Sequence, residues 1–197
     1  MYMKEIWARE KEKKVVAVDL DGVLVQYPEC WIDYVNKKIK KNFKDLGEMK
    51  DMLSYSEYRK LKRLYRTDGS KANLPAVEGA TKFISGLQNA GYKIVIITSR
   101  PYHLYHEIYD ATVRWLRNNK ISPDFGIIWD AQKHWAVLRE FPFLKFLVED
   151  NAEIANQVAR LGYKVYLLDN IYNRQPLEKN CQRIFSLDEI LRCEVLK

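Results

Sequence analysis

Two aspartates separated by one residue, Asp19-Leu20-Asp21, followed at once by Gly22, close an apolar valine-rich run, VVAVDL. Three further polar groups stand where later apolar runs end: Thr98-Ser99-Arg100, Lys133 and Glu149-Asp150. Carboxylates alone would repel an anionic substrate. Paired with a hard divalent cation, which takes oxygen ligands and keeps several waters, they can instead hold a phosphate ester and position a nucleophile against it. Asp19 is the candidate nucleophile, by the covalent route open to a metal-screened carboxylate. Asp21, two residues along the same strand end, is placed to protonate a leaving alkoxide and then deprotonate a water. Asp19, the Asp21 carbonyl and Asp150 are the candidate ligands of Mg²⁺. Thr98 and Lys133 are suited to the transferring phosphoryl oxygens, with Ser99 and Arg100 as further phosphate-binding candidates. Glu149 is read as a carboxylate that orients metal-bound water.

Such residues act together only if a scaffold brings four strand ends to one edge. The strand over KKVVAVDL is followed by a long polar stretch from 27 to 73. After it, helix and strand patterns alternate: a helix over 77–90, a strand YKIVIIT, a helix over 102–119, strand FGIIW, helix QKHWAVLREF, strand KFLVE, helix AEIANQVARL, strand YKVYLL, a short strand RIFS and a last helix. Ser186 and Glu189 give that last helix a capping-box pattern. Alternation of this kind predicts an α/β fold, a doubly wound parallel, Rossmann-like sheet covered on both faces. Ligands of open α/β sheets bind beyond the carboxyl ends of the strands, where all four polar groups fall.

The intervening segment has its own character. Stretches such as WIDYVNKKIKKNF and SYSEYRKLKRLY have helical spacing, and TDGSKANLP reads as the loop back to the core. The expected division is a core of 1–25 and 76–197 with a small helical cap, 26–75, inserted after the first strand. The net charge of +7 is concentrated there: 36–71 hold 12 Lys and Arg against 5 Asp and Glu, and the rest of the chain is balanced. Two readings stand side by side, an anionic partner for the cap or simply solvated helix faces. Its aromatics could stack a nucleobase or form the cap's own core; Trp31, which follows the first motif closely, is the residue expected to touch substrate.

Cys30, Cys181 and Cys193 are odd in number and form no CxxC pattern, so neither a disulfide framework nor a zinc site is expected and a cytoplasmic setting fits. The lead MYMKEIWAREKEKK is charged before any apolar run, and no apolar string could span a bilayer, so neither a signal peptide nor a membrane partner is expected. His103 and His106 lie one helical turn apart but lack a third ligand for a metal.

The ordered set DLDGV, TSR, a helix-opening Lys and VEDN resembles the four motifs of the haloacid dehalogenase (HAD) superfamily of phosphohydrolases, spanning residues 15–151. The resemblance implies an aspartyl-phosphate on Asp19, acid/base action by Asp21, phosphate contacts from Thr98 and Lys133, metal ligation by Asp150, and a C1-type cap. LPAVEGA, YKIVIITSRP and LVEDN with YLLDNIYNR are similar to C-type 5'-nucleotidases, the 5'(3')-deoxyribonucleotidases, although Glu149-Asp150 stands where many of those carry two aspartates. A small phosphorylated substrate, a nucleoside or deoxynucleoside monophosphate, is the expectation. The alternatives are a phosphatase of nucleic-acid 3'-ends or of another small phosphometabolite, and, outside enzymes, a phospho-acceptor or binding module. An acceptor of the receiver type would carry its Asp at a later strand end, where this chain has Thr98.

Overall fold

The computed structural model describes residues 14–196; the charged lead falls outside them apart from Lys14. Six strands form one parallel sheet: β1 (Lys14–Asp19), β2 (Tyr92–Thr98), β3 (Ile127–Trp129), β4 (Phe146–Glu149), β5 (Val165–Leu168) and β6 (Cys181–Ile184), in the order β3-β2-β1-β4-β5-β6. The fold is thus the expected Rossmann-like α/β sheet. Central strands read as continuous apolar runs because both of their faces are covered. On β1, Val16 and Val18 enter one core cluster while Val15 and Ala17 enter the other.

Helices α1 (Glu29–Ile39), α2 (Leu46–Met52) and α3 (Tyr55–Thr67), then a 3₁₀ turn at Ser70–Asn73, precede α4 (Ala80–Asn89). The remaining helices are α5 (Glu107–Asn118), α6 (Lys133–Glu140), α7 (Ala152–Arg160) and α8 (Leu187–Glu194). On one face of the sheet α4, α5 and α8 contribute Phe83, Leu87, Trp115, Ile190 and Leu191; on the other, α6 and α7 contribute Val137, Leu138, Ala155 and Val158. Each burial of this size removes a side chain from water at a gain of roughly 1.5–3 kcal/mol.

The inserted helices share the first of these clusters. Trp31, Val35, Phe43, Met49, Leu61 and Tyr65 are buried in the same contiguous core as Val16 and Phe83. Ser54 and Glu57 close a capping box at the start of α3, so the helix begins where SYSEY places its N-cap.

Register sets the active edge. Asp19 pairs with Ile97, one residue before Thr98, and Val18 pairs with Val148, one residue before Glu149. The chain leaves β1 for β2 on one side, while β4 lies on the other, so Asp19 stands at the point where strand order reverses.

Candidate active site

Asp19 is 3% exposed, and its two oxygens have different partners. Oδ1 accepts the Leu20 N–H at 2.7 Å, and Oδ2 lies 2.5 Å from the Lys133 ammonium. Lys133 opens α6 and is buried; its Nζ also donates to Glu149 Oε1 at 3.3 Å and stands 3.1 Å from Oε2. That second oxygen is buried without a well-directed hydrogen bond. Glu149 Oε1 accepts the N–H groups of Asp150 (3.2 Å) and Asn151 (3.1 Å) as well, so it orders the turn that carries its neighbour.

Asp150 is anchored from two sides. The Tyr172 hydroxyl donates to its Oδ2, and Asn173 Nδ2 donates to its carbonyl at 2.8 Å. Asn173 is in turn gripped by Arg183 through its side-chain oxygen and its carbonyl, each at 2.7 Å. Gly22, at φ +95°, lets the loop after β1 pass close by: a β-carbon there would overlap the Asp150 carboxylate.

One oxygen each of Asp19, Glu149 and Asp150 lies within 4.8 Å of the others, all buried. Burial, then the charge of Glu149, pushes the Asp19 carboxyl well above its usual range and lifts Asp150 to about 7. Burial would depress the Lys133 ammonium, yet Asp19 and Glu149 hold it above its ordinary value. Three carboxylates therefore face one ammonium, a buried excess of negative charge made of hard oxygen donors. Such a set fits a divalent cation.

Asp21 has a different environment. Arg100 grips it with both prongs, Nε to Oδ2 at 2.7 Å and Nη2 to Oδ1 at 2.6 Å, and spends Nη1 on the Thr112 hydroxyl at 2.8 Å. Lys71, buried in the 3₁₀ turn, stands 3.8 Å from Oδ1. Burial would raise the Asp21 carboxyl, but Arg100 and then Lys71 hold it far below the usual carboxylate range. The buried Thr98 hydroxyl accepts the Arg100 N–H at 3.2 Å.

These groups floor a cavity of about 660 Å³. Thr98, Ser99 and Arg100 edge it from the core, while Tyr27, Leu46, Lys50, Lys62, Arg66 and Lys71 wall it from the inserted segment.

The sequence model of the family described as 5' nucleotidase, deoxy (pyrimidine), cytosolic type C, matches residues 13–194. The chain belongs to this type C 5'-nucleotidase family. A nucleotidase of Clostridium acetobutylicum is 25% identical over 191 residues, covering 91% of this chain and 92% of that protein. Among solved structures, a haloacid dehalogenase-like protein of Streptococcus pneumoniae superposes with a TM-score of 0.63 at 15% identity, over 92% of this chain and 98% of that one. The D,D-heptose 1,7-bisphosphate phosphatase of B. bronchiseptica, complexed with magnesium and phosphate, gives 0.59 at 14% identity, over 93% and 98%. At these identities the two structures share the fold. Family membership makes the chain a HAD-type phosphatase of the nucleotidase class, in line with the resemblance read from its motifs.

Within this nucleotidase frame two readings of the sequence need correction. Trp31 does not face the cavity: it is fully buried against Tyr34, Tyr58 and Tyr65, and Lys62 lies 4.2 Å over its ring, between it and the open space. Arg100 edges the cavity, but its guanidinium is committed to Asp21 and Thr112 instead of standing free for phosphate. The Asp21 carboxylate is likewise outside the acidic cluster, where Glu149 joins Asp19 and Asp150. Sequence reasoning missed Lys71, Tyr172 and Asn173. TDGSKANLP was read only as a loop and DNIYNR only as part of a family resemblance, and neither carries a periodicity that would aim a side chain at the site.

Proposed function

We propose that this chain is a Mg²⁺-dependent 5'-nucleotidase of the cytoplasm that hydrolyses nucleoside or deoxynucleoside monophosphates through an aspartyl-phosphate on Asp19. The observation that carries the reading is the Asp19–Lys133 contact of 2.5 Å at the floor of the cavity, beside Glu149 and Asp150. Residues 26–75 are proposed as the cap and 1–25 with 76–197 as the catalytic core. Three free cysteines, Cys30, Cys181 and Cys193, accord with a reducing compartment. No helix among the described residues is long and apolar enough to cross a membrane.

Asp19 attacks phosphorus as the bond to the leaving alkoxide breaks, and the alkoxide takes its proton from Asp21. Water then attacks the aspartyl-phosphate and gives its proton to Asp21, releasing phosphate and restoring Asp19. Held ionised by Arg100 and Lys71, Asp21 stands in the form that the second half-reaction needs. The first half-reaction needs its protonated form, so the Arg100 fork must loosen as the leaving oxygen arrives. Thr98, Ser99 and Lys133 are the proposed holders of the phosphoryl oxygens, and Lys133 also aims Asp19 and favours its charged form against burial and Glu149. Mg²⁺, for which Asp19, Asp150 and the Asp21 carbonyl are the proposed ligands, supplies charge neutralisation at the phosphate when bound. Glu149, which takes the Asp150 and Asn151 N–H groups, orients that edge.

A phosphate-release screen over nucleoside monophosphates and sugar phosphates, with and without Mg²⁺, tests the reading alongside Asp19→Asn. Turnover of a nucleotide that needs Mg²⁺ and falls at least about 10³-fold in the variant is expected. Retained turnover in Asp19→Asn would remove the nucleophile assignment.

A further inference from the structure

We propose that the active-site cavity continues into a second, basic and aromatic cavity that seats single-stranded nucleic acid, so that the terminal phosphomonoester of an oligonucleotide reaches Asp19. This rests on the phosphomonoesterase reading of the Asp19 site.

The second cavity, about 830 Å³, lies along α3 and the loop that carries Leu104 and Tyr105, and it shares Lys62 and Arg66 with the first. The two spaces are therefore adjacent across two cations. Leu61 and Tyr65 turn one face of α3 into the core. Its other positions add Arg59, Lys60 and Arg63 to the lining, and among the described residues no carboxylate lines the cavity. The one acid of α3, Glu57, is committed to the N-cap through Ser54. None of these cations forms a salt bridge with another described residue. Arg59, Lys60 and Arg63 are exposed, while Lys62 and Arg66 are half-buried where the two cavities meet.

Aromatic faces interleave with that charge. The Arg59 guanidinium lies 5.6 Å over the Tyr55 ring and donates to its hydroxyl at 3.0 Å, and Arg66 lies 5.5 Å over Tyr105. Tyr55 is 74% exposed, so its ring is accessible from solvent beside Arg59. A row of cations beside stacking platforms is what a single strand requires, because its phosphates are neutralised while its bases stack without regard to sequence. An acidic peptide would use the cations and leave the rings idle. A single strand also suits the depth of the site: Asp19 is almost fully buried at the floor, which a free end can enter and a base-paired end cannot.

The test measures binding and turnover separately. Binding of an unphosphorylated, fluorescein-labelled octanucleotide is followed by anisotropy between 50 and 200 mM salt. Hydrolysis is compared for a nucleoside monophosphate, a nucleoside 3',5'-bisphosphate and octanucleotides carrying a 3'- or a 5'-phosphate. The double variant Arg59→Gln, Arg63→Gln lines only the second cavity. Losing two cations should lower the salt slope of binding by about 1.4 and weaken octanucleotide binding about 25-fold at 0.1 M salt. KM for a phosphorylated octanucleotide should rise with it, while kcat/KM for the mononucleotide stays within about twofold. Whichever phosphorylated end is released identifies the polarity of the strand in the groove. Octanucleotide binding that is absent or indifferent to the double variant overturns the proposal, as does turnover of the bisphosphate without turnover of either octanucleotide. Absence of phosphate release from every substrate, with variant-sensitive octanucleotide binding intact, would instead overturn the phosphomonoesterase reading and leave the groove standing.

Discussion

Stripping the divalent cation should make this protein less stable at pH 7 than at pH 5, the reverse of the trend that ion-paired carboxylates produce. Burial, then the charge of Glu149, lifts Asp150 from an ordinary 3.8 to about 7. A carboxyl raised on folding contributes stability that is complete below its unfolded value and is lost as pH rises through its folded value. Between pH 5 and pH 7 the loss is about 2 kcal/mol, at 1.36 kcal/mol per unit with the slope halving as the carboxyl reaches its folded value. Asp19, pushed in the same direction, deepens it. The carboxyls held low, Asp21, Asp68 and Asp124, have already gained their stabilisation below pH 5. Lys71 and Lys62, depressed chiefly by burial to about 7 and about 8, regain stability as pH rises through those values, so Lys71 offsets a little of the fall near pH 7 and Lys62 acts beyond it. His134, depressed by burial, opposes the fall in the acid half of the window and trims it. Thermal melts in EDTA at pH 5, 6 and 7 should therefore show Tm dropping by about 5–10 °C. Saturating MgCl₂ should restore more at pH 7 than at pH 5, since the cation binds ionised ligands. A metal-free Tm that is flat or rises from pH 5 to pH 7 would refute the reasoning.

Three substitutions probe the supports of the site. Tyr172→Phe deletes the hydroxyl that donates to Asp150, and the Mg²⁺ concentration for half-maximal activity should rise about 10–100-fold with kcat at saturating Mg²⁺ little changed, as a metal titration of turnover would show. Arg100→Lys keeps a charge but loses the two-pronged grip and the Thr112 bond; Asp21 then rises toward the ordinary carboxylate range, and the acid limb of the kcat/KM profile should move to higher pH. Trp31→Phe should lower stability by about 1–3 kcal/mol in thermal melts while KM for the nucleotide stays within about twofold, because the ring is buried behind Lys62.

The sheet and the floor of the site were legible in the sequence because strand ends are local facts. An apolar run followed by a polar pair fixes both a strand and the residue at its mouth, and parallel alternation carries all such mouths to one edge. Asp19, Thr98 and Glu149 fall into adjacent register for that reason. Where local pattern competes with capping, the reading slipped. RIFS was expected as the last strand, but pairing with β5 begins at Cys181, and Ser186 is taken up as the N-cap of α8. The short α2 left no separate mark, since LGEMKDM buries only Met49. Arg100 was misread for a different reason. Its place one step past Ser99 suggested a phosphate ligand, but its length lets it reach back to Asp21, 79 residues earlier, and no spacing rule reports that meeting.

The walls were harder still, because spacing can place Lys62 and Arg66 on a helix but cannot say which strand end that helix faces. Lys71 belongs to a loop rich in Gly, Ser and Asn, yet it is buried beside Tyr65, with its ammonium 4.5 Å over that ring. Trp31 has the position of a substrate contact and the environment of a core residue, since three tyrosines of the inserted helices close around it. Asp21 links floor and wall. Its carboxylate is held by Arg100 of the core at 2.6 Å and by Lys71 of the inserted segment at 3.8 Å. Coulomb attraction falls with distance, and only Arg100 adds hydrogen bonds, so the core's cation dominates the charge state of Asp21. The carboxylate proposed for proton transfer is therefore governed mainly from the sheet edge that also carries Asp19. The inserted segment, proposed as the cap, places Lys50, Lys62 and Arg66 on the cavity wall. A change confined to the wall should alter KM across substrates more than the pH profile, whereas a change at Arg100 should do the opposite.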